Sequence, residues 1–250
     1  MKPKQINFSA AYSFADYAVS AVKDPSCIAP GDIISDFFGY KGAEFYSQIE
    51  KPQKYTLLHT FIHSINAFSI QHYLGKVDGE IIIAEYTSLL DGANIPHPTW
   101  YNEDDVLDHI DELRNILEDA TGIITDAAFQ LLFADRTFLF EFNKFIKGFV
   151  LRLDPIDHPS IVFPGVVKRA NFPVWLKNAV FHRDKGRCQL CGCDLTNVLV
   201  PTVERHIDHM VPLKAGGIND PTNFQLTCGS CNTSKGARVY ARNHLSYSWW

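Results

Sequence analysis

The chain has no run approaching the ~18 uninterrupted apolar residues of a membrane-spanning helix. Its opening, Met1-Lys2-Pro3-Lys4-Gln5-Ile6-Asn7, lacks the apolar stretch of a secretion signal. The expectation is therefore a cytoplasmic protein with no membrane partner. No internal repeat and no low-complexity tract is present, which excludes solenoids and compositionally disordered chains. Cysteine is sparse, with six in 250 residues. In a reducing cytoplasm, cysteines that cluster bind metal rather than form disulfides. What is present is ordinary for a globular protein: 46% apolar and 20% charged residues, in a chain long enough for one large domain or two small ones.

The net charge of -5 conceals an asymmetry. Residues 1–150 hold 11 basic and 21 acidic side chains, against 12 basic and 7 acidic in the remainder. A basic C-terminal part suits a polyanionic partner, and the acidic part would be repelled by one.

Periodicity predicts a mostly helical N-terminal domain over residues 1–150, with helices at Ala11–Val22, Asp32–Glu50, Tyr55–Tyr73, Glu80–Leu90, Asn102–Glu118 and Thr125–Val150. The last carries a Phe stripe (Phe129, Phe133, Phe138, Phe140, Phe142, Phe145, Phe149) that is either core or a partner-facing surface. His59 and His63, four apart on a helix, have a metal-ligand spacing, but apolar flanks and no adjacent Glu favour core histidines. The cluster Glu103, Asp104, Asp105, Asp108, Asp111 and Glu112 is a solvated helix face or a surface for a basic partner. Three prolines and a glycine between Asp154 and Gly165 mark residues 151–165 as a linker to a third segment, 166–250. Pro173 then opens a short helix.

The informative stretch lies between Cys188 and Lys235. Cys188-Gln189-Leu190-Cys191 and Cys228-Gly229-Ser230-Cys231 form two CxxC pairs, which can supply four thiolates to a tetrahedral zinc. Cys193 is close enough to Cys191 to be an alternative ligand, and Cys27 is a small core residue. Between the pairs, His206-Ile207-Asp208-His209 has the alternation of a strand. An imidazole at His209 can take a proton from water near neutral pH. Asp208 is a hard oxygen ligand suited to Mg²⁺ or Mn²⁺. Neighbours on a strand face opposite ways, so the two can share a phosphate only at a bulge or strand end.

With Asn223 before the second CxxC and Asn232-Thr233-Ser234-Lys235 after it, residues 173–243 resemble the HNH endonuclease family, in the subtype whose ββα-metal fold is braced by a four-cysteine zinc. The resemblance implies an α+β protein, with the helical domain followed by a small zinc-braced nuclease domain. It implies His209 as general base, Asn223 as the residue that orients it and ties down the loop, and Asp208 with Asn232 as ligands of a catalytic Mg²⁺ or Mn²⁺. It places Cys188, Cys191, Cys228 and Cys231 on a structural zinc. Gly216 and Gly217 match the glycines of the loop after the base. Lys235 is expected on a phosphate, with Arg238 and Arg242 further along the same helix and Lys214 nearby. His206 shares a face with Asp208 and is either a further ligand or a supporting residue.

The function implied is metal-dependent hydrolysis of DNA phosphodiesters, with RNA left open, as an effector in a bacterial or phage defence system. Two alternatives stand beside it: a zinc-stapled module that binds nucleic acid without cutting it, and a nuclease held inactive by the acidic helical domain until a partner binds. That domain is also the expected surface for a protein partner or self-association.

Overall fold

In the first helix a row of small residues, Ala10, Ala11, Ala15, Ala18 and Ala21 with Phe14 and Val22, recurs at helical spacing and is buried. This computed structural model describes residues 8–25, 42–74, 76–98, 106–156, 158, 160–198 and 203–240. Cys27, Glu103, Asp104, Asp105 and Arg242 lie outside the described residues. The helices are α1 (Ser9–Lys23), α2 (Gly42–Glu50), α3 (Leu57–Leu74), α4 (Gly79–Gly92), α5 (Val106–Ala134), α6 (Arg136–Val150), α7 (Val174–Arg183) and α8 (Gly229–Lys235). The strands are β1 (Ile161–Phe163), β2 (Val166–Val167), β3 (Arg205–His209) and β4 (Phe224–Cys228), in two antiparallel hairpins, β1-β2 and β3-β4. The fold class is α+β, helical at the N-terminal side as expected. Among the described residues no helix is long and apolar enough to cross a membrane.

The chain divides into two compact units, residues 1–37 with 58–132, and residues 38–57 with 133–250. This corrects the expected division at residues 150 and 166. The second unit takes α2 and α6 from the part expected to form the N-terminal domain. Residues expected to be a linker contribute instead the β1-β2 hairpin, turned at Gly165 with a φ of 70°.

The expected break between two helices at residues 119–124 is absent, because α5 runs unbroken to Ala134. Gly122 costs too little to end a helix of that length. The break comes at Asp135, whose side chain accepts hydrogen bonds from the backbone N–H of Thr137 (2.9 Å) and Phe138 (3.0 Å). That is an N-cap, which closes one helix and opens the next. On α6 the residues Phe138, Leu139, Phe142, Ile146 and Val150 are buried, so this part of the Phe stripe is core of the second unit.

In the first unit His59 is a core histidine. Its ring stacks on Phe129 with centroids 3.6 Å apart, and Nε2 lies 3.8 Å from Asp126. Burial lowers its pKa from 6.5 to about 4, against the opposing pull of Asp126. The folded chain therefore keeps His59 neutral while the unfolded chain takes up a proton as pH falls through 6.5. Stability is lost progressively between that pH and about 4. His59→Gln should flatten this loss, measured as the difference in urea midpoint between pH 7 and pH 5 for variant and wild type. An unchanged difference would assign the acid sensitivity elsewhere.

Candidate active site and metal centre

The site is built on the β3-β4 hairpin, whose register runs without a bulge from Arg205 opposite Cys228 to His209 opposite Phe224. Strand alternation then separates two sets of side chains. Phe224, Leu226 and Cys228 on β4 join Leu176 and Val180 of α7, with Cys188 and Leu195, in one hydrophobic cluster. Asp208 and Gln225, opposite each other in the register, form the other set with His206 and Thr227. His209 is the last residue of β3, so the Asp-His pair sits at a strand end.

His209 is almost fully buried, at 4% exposure. Its ring lies against Phe224 and Phe172, with centroid separations of 4.6 and 5.7 Å. Burial, reinforced by the positive charges of Arg169 and Lys235, lowers its pKa to about 4, against the hydrogen bond with Asn219. The imidazole is thus neutral near pH 7, as a base must be. Its Nε2 is 3.2 Å from Oδ1 of Asn219. The Asn219 amide nitrogen donates to the carbonyls of Glu50 and Lys168, both at 2.8 Å, which fixes its oxygen toward the ring. His209 must then donate from Nε2, leaving the lone pair on Nδ1.

Asn219 is the residue that sequence reasoning missed. It is wholly buried, and its backbone N–H also donates to the Ile49 carbonyl at the end of α2. Asn223, expected to orient the base and tie down the loop, is bonded to the loop that follows His209. Its Oδ1 accepts from the Val211 N–H, and its Nδ2 donates to the carbonyls of Val211 and Ile218, each at 2.9 Å. The loop between these residues is tight. A Cβ on Gly217 would sit 1.9 Å from the Val211 carbonyl oxygen. Gly217→Ala should therefore cost about 3 kcal/mol or more, by displacing backbone that Asn223 holds. Gly122→Ala, where a Cβ meets nothing within 4 Å, should instead stabilise by about 0.5–1 kcal/mol. Chemical denaturation of the two variants tests the contrast.

The Asp208 Oδ2 accepts from the Gln225 Nε2 at 3.0 Å and lies 2.9 Å from the Lys235 Nζ. Lys235, expected on a phosphate, is placed elsewhere: it is 3% exposed and also donates to the His209 carbonyl at 2.7 Å. Helix α8 stops at Lys235, so Arg238 lies beyond its end. Arg238 folds back, its guanidinium donating to the carbonyls of Ser234 and Lys235. Asn232 is half-buried on α8, and Lys214 is exposed on a short 3-10 turn, Leu213–Ala215. His206 has its Nε2 3.3 Å from a Glu204 carboxylate oxygen. An Asp208 carboxylate and an Asn232 amide offer oxygen donors, which fit a hard divalent cation.

The sulfurs of Cys188, Cys191, Cys193 and Cys228 all lie within 4.8 Å of one another, with Cys191 and Cys228 3.9 Å apart. A tetrahedral zinc with bonds of about 2.3 Å needs sulfurs about 3.8 Å apart, so the donor set fits. Cys231 stands at the margin of this group, and its thiol pKa is raised by burial and by hydrogen bonding with Cys228 and Cys191. Five thiols thus converge where four were expected, with Cys193 inside the tight group. The Cys228 thiol falls to about 6, because hydrogen bonds from the Ser230 hydroxyl and the Cys231 N–H outweigh its burial.

Residues 188–238 match the model of the HNH endonuclease family. No curated protein and no solved structure matches the chain. Residues 188–238, with their cysteine cluster and Asp-His strand end, are thus similar to an HNH endonuclease domain.

Proposed function

We propose that this protein is a metal-dependent endonuclease that hydrolyses phosphodiester bonds of DNA. The observation that carries the reading is the state of His209, a neutral imidazole with Nε2 committed to Asn219 and its lone pair on Nδ1. That nitrogen takes the proton of the attacking water. Asp208 and Asn232 hold the divalent cation, which when bound stabilises charge on the phosphate and the leaving oxygen. Asn223 holds the loop that follows the base, and Lys214 and Arg238 offer exposed cations to the phosphate backbone. The cysteine cluster holds a structural zinc.

A second reading is favoured by a separate observation. The base is buried, and the Asp208 carboxylate is engaged by the Lys235 ammonium. Such a site suits a nuclease at rest, which a partner or signal acting on the first unit would release, as in an effector of a bacterial or phage defence system. Incubation of the full chain with supercoiled plasmid at low salt, without metal and with Mg²⁺ or Mn²⁺, tests the main reading. Metal-dependent nicking is expected. DNA binding without nicking under every metal, by protein with intact zinc, would sink the reading of a constitutively active enzyme.

A further inference from the structure

We propose that Arg136, which lies outside the segment matching the HNH family, is a positioning residue that sets Asp208 for its cation through Gln225. The inference rests on the nuclease site proposed above and adds to it a residue outside the matched segment 188–238. Arg136 is the first residue of α6, held there by the Asp135 cap. One terminal nitrogen of its guanidinium donates to the Gln225 Oε1 at 2.9 Å and approaches the Met210 sulfur at 3.4 Å. The other donates to the Gln189 Oε1, beside the first zinc ligand. Gln225 is wholly buried, and its Nε2 donates to the Asp208 Oδ2.

The polarity of this chain is fixed. A guanidinium has donors and no acceptor, so it holds the amide oxygen of Gln225 toward α6 and turns the NH₂ toward Asp208. A flipped amide would lose both hydrogen bonds at a side chain that is itself fully buried. Asp208 thereby has its Oδ2 restrained by Gln225 and Lys235, while its Oδ1 accepts no hydrogen bond among the described residues. One oxygen locked and one open is the arrangement of a carboxylate that presents a single ligand atom in a fixed direction.

The guanidinium is itself anchored. Its Nε lies 3.8 Å from Asp184, a fully buried carboxylate paired with Arg183 at 2.8 Å. Asp184 also accepts from the backbone N–H of Leu226 at 2.7 Å, the residue next to Gln225. Asp184 thus holds both Arg136 and the strand on which Gln225 sits. A lysine at position 136 could supply the charge but not the planar fork that reaches two glutamines at once.

The test uses the full-length, zinc-loaded chain and Mn²⁺ alone as probe, with free Mn²⁺ followed by electron paramagnetic resonance. Arg136→Gln should weaken Mn²⁺ binding at least about 10-fold, and Arg136→Lys by less, with zinc content unchanged. The Mg²⁺ concentration for half-maximal plasmid nicking should rise by a matching factor, while the rate at saturating metal stays near wild type. Gln225→Met keeps the volume and leaves the hydrogen bond of Arg136 to Gln189 and its ion pair with Asp184. It should reproduce the Mn²⁺ effect, and it serves if Arg136→Gln loses zinc or fails to fold. Unchanged Mn²⁺ affinity in folded Arg136→Gln or Gln225→Met overturns the proposal, as does a wild type that binds no Mn²⁺. A wild type that binds Mn²⁺ without nicking DNA would instead sink the reading of a constitutively active nuclease and leave the role of Arg136 standing if the variants weaken Mn²⁺.

Discussion

Cys228→Ser, or stripping zinc with a strong chelator, should unfold residues 188–238 and abolish nicking that Mg²⁺ alone does not restore. The expectation follows from how little else holds this segment. Its regular structure is a hairpin of two five-residue strands and a seven-residue helix. A two-stranded hairpin is marginal in water, and a helix this short does not persist alone. Cys188 and Cys228 belong to the same buried cluster as Leu176, Val180, Phe224 and Leu226, so the metal and the apolar core share residues. Structural zinc contributes on the order of 10 kcal/mol in small domains, more than such a core supplies. Hydrogen exchange should show protection lost across β3, β4 and α8, and metal analysis should show one zinc per chain in wild type. Serine replacement at Cys193 and Cys231 separates the two candidates for the fourth ligand: the true ligand loses zinc, and the fifth thiol is spared. Retained exchange protection and retained nicking in zinc-free protein would overturn the structural role.

The sequence made β3, β4 and α8 legible because each is tied to a motif, whereas the β1-β2 hairpin carries none. A CxxC pair, an Asp-His strand end and an Asn before the second CxxC have meaning at short range. What it did not reveal depends on contacts between distant segments. Asn219 sits only four residues before Asn223, in the same loop, and both are amides at turn positions. Only the folded chain, with the carbonyls of Glu50 and Lys168 beside it, distinguishes which one meets His209. Lys235 looked like a phosphate contact because its position in the motif is exposed in an isolated helix, and its pairing with Asp208 appears only once α8 packs on β3. The unit boundary was misplaced for a similar reason. Composition changes after residue 150, yet Leu57 donates its N–H to the buried Asp220 carboxylate at 2.7 Å, and Arg136 reaches Gln225. A fragment of residues 166–250 would lack both contacts, so it is a poor probe of whether the acidic half restrains DNA binding.

His209→Ala should lower metal-dependent nicking by about 10²–10⁴-fold, the range that a positioned general base contributes. Because the ring is packed between Phe172 and Phe224, the alanine variant also leaves a cavity, and a loss of activity alone would be ambiguous. His209→Gln fills more of that space and can still donate to Asn219, but it has no imidazole nitrogen to accept a proton. The two variants should therefore differ in stability and agree in activity. Asn219→Ala provides the complementary case. It keeps the imidazole but removes the acceptor that holds the proton on Nε2, leaving the tautomer unfixed and the carbonyls of Glu50 and Lys168 without their donor. Nicking should fall in this variant as well, by less than in His209→Gln, since a fraction of the rings still presents Nδ1 as the base. Wild-type nicking by His209→Gln would exclude the imidazole as base. If the wild type, His209→Gln and Asn219→Ala all bound DNA equally and none cut, the reading of a constitutively active enzyme would fall, leaving a binding module or the nuclease at rest.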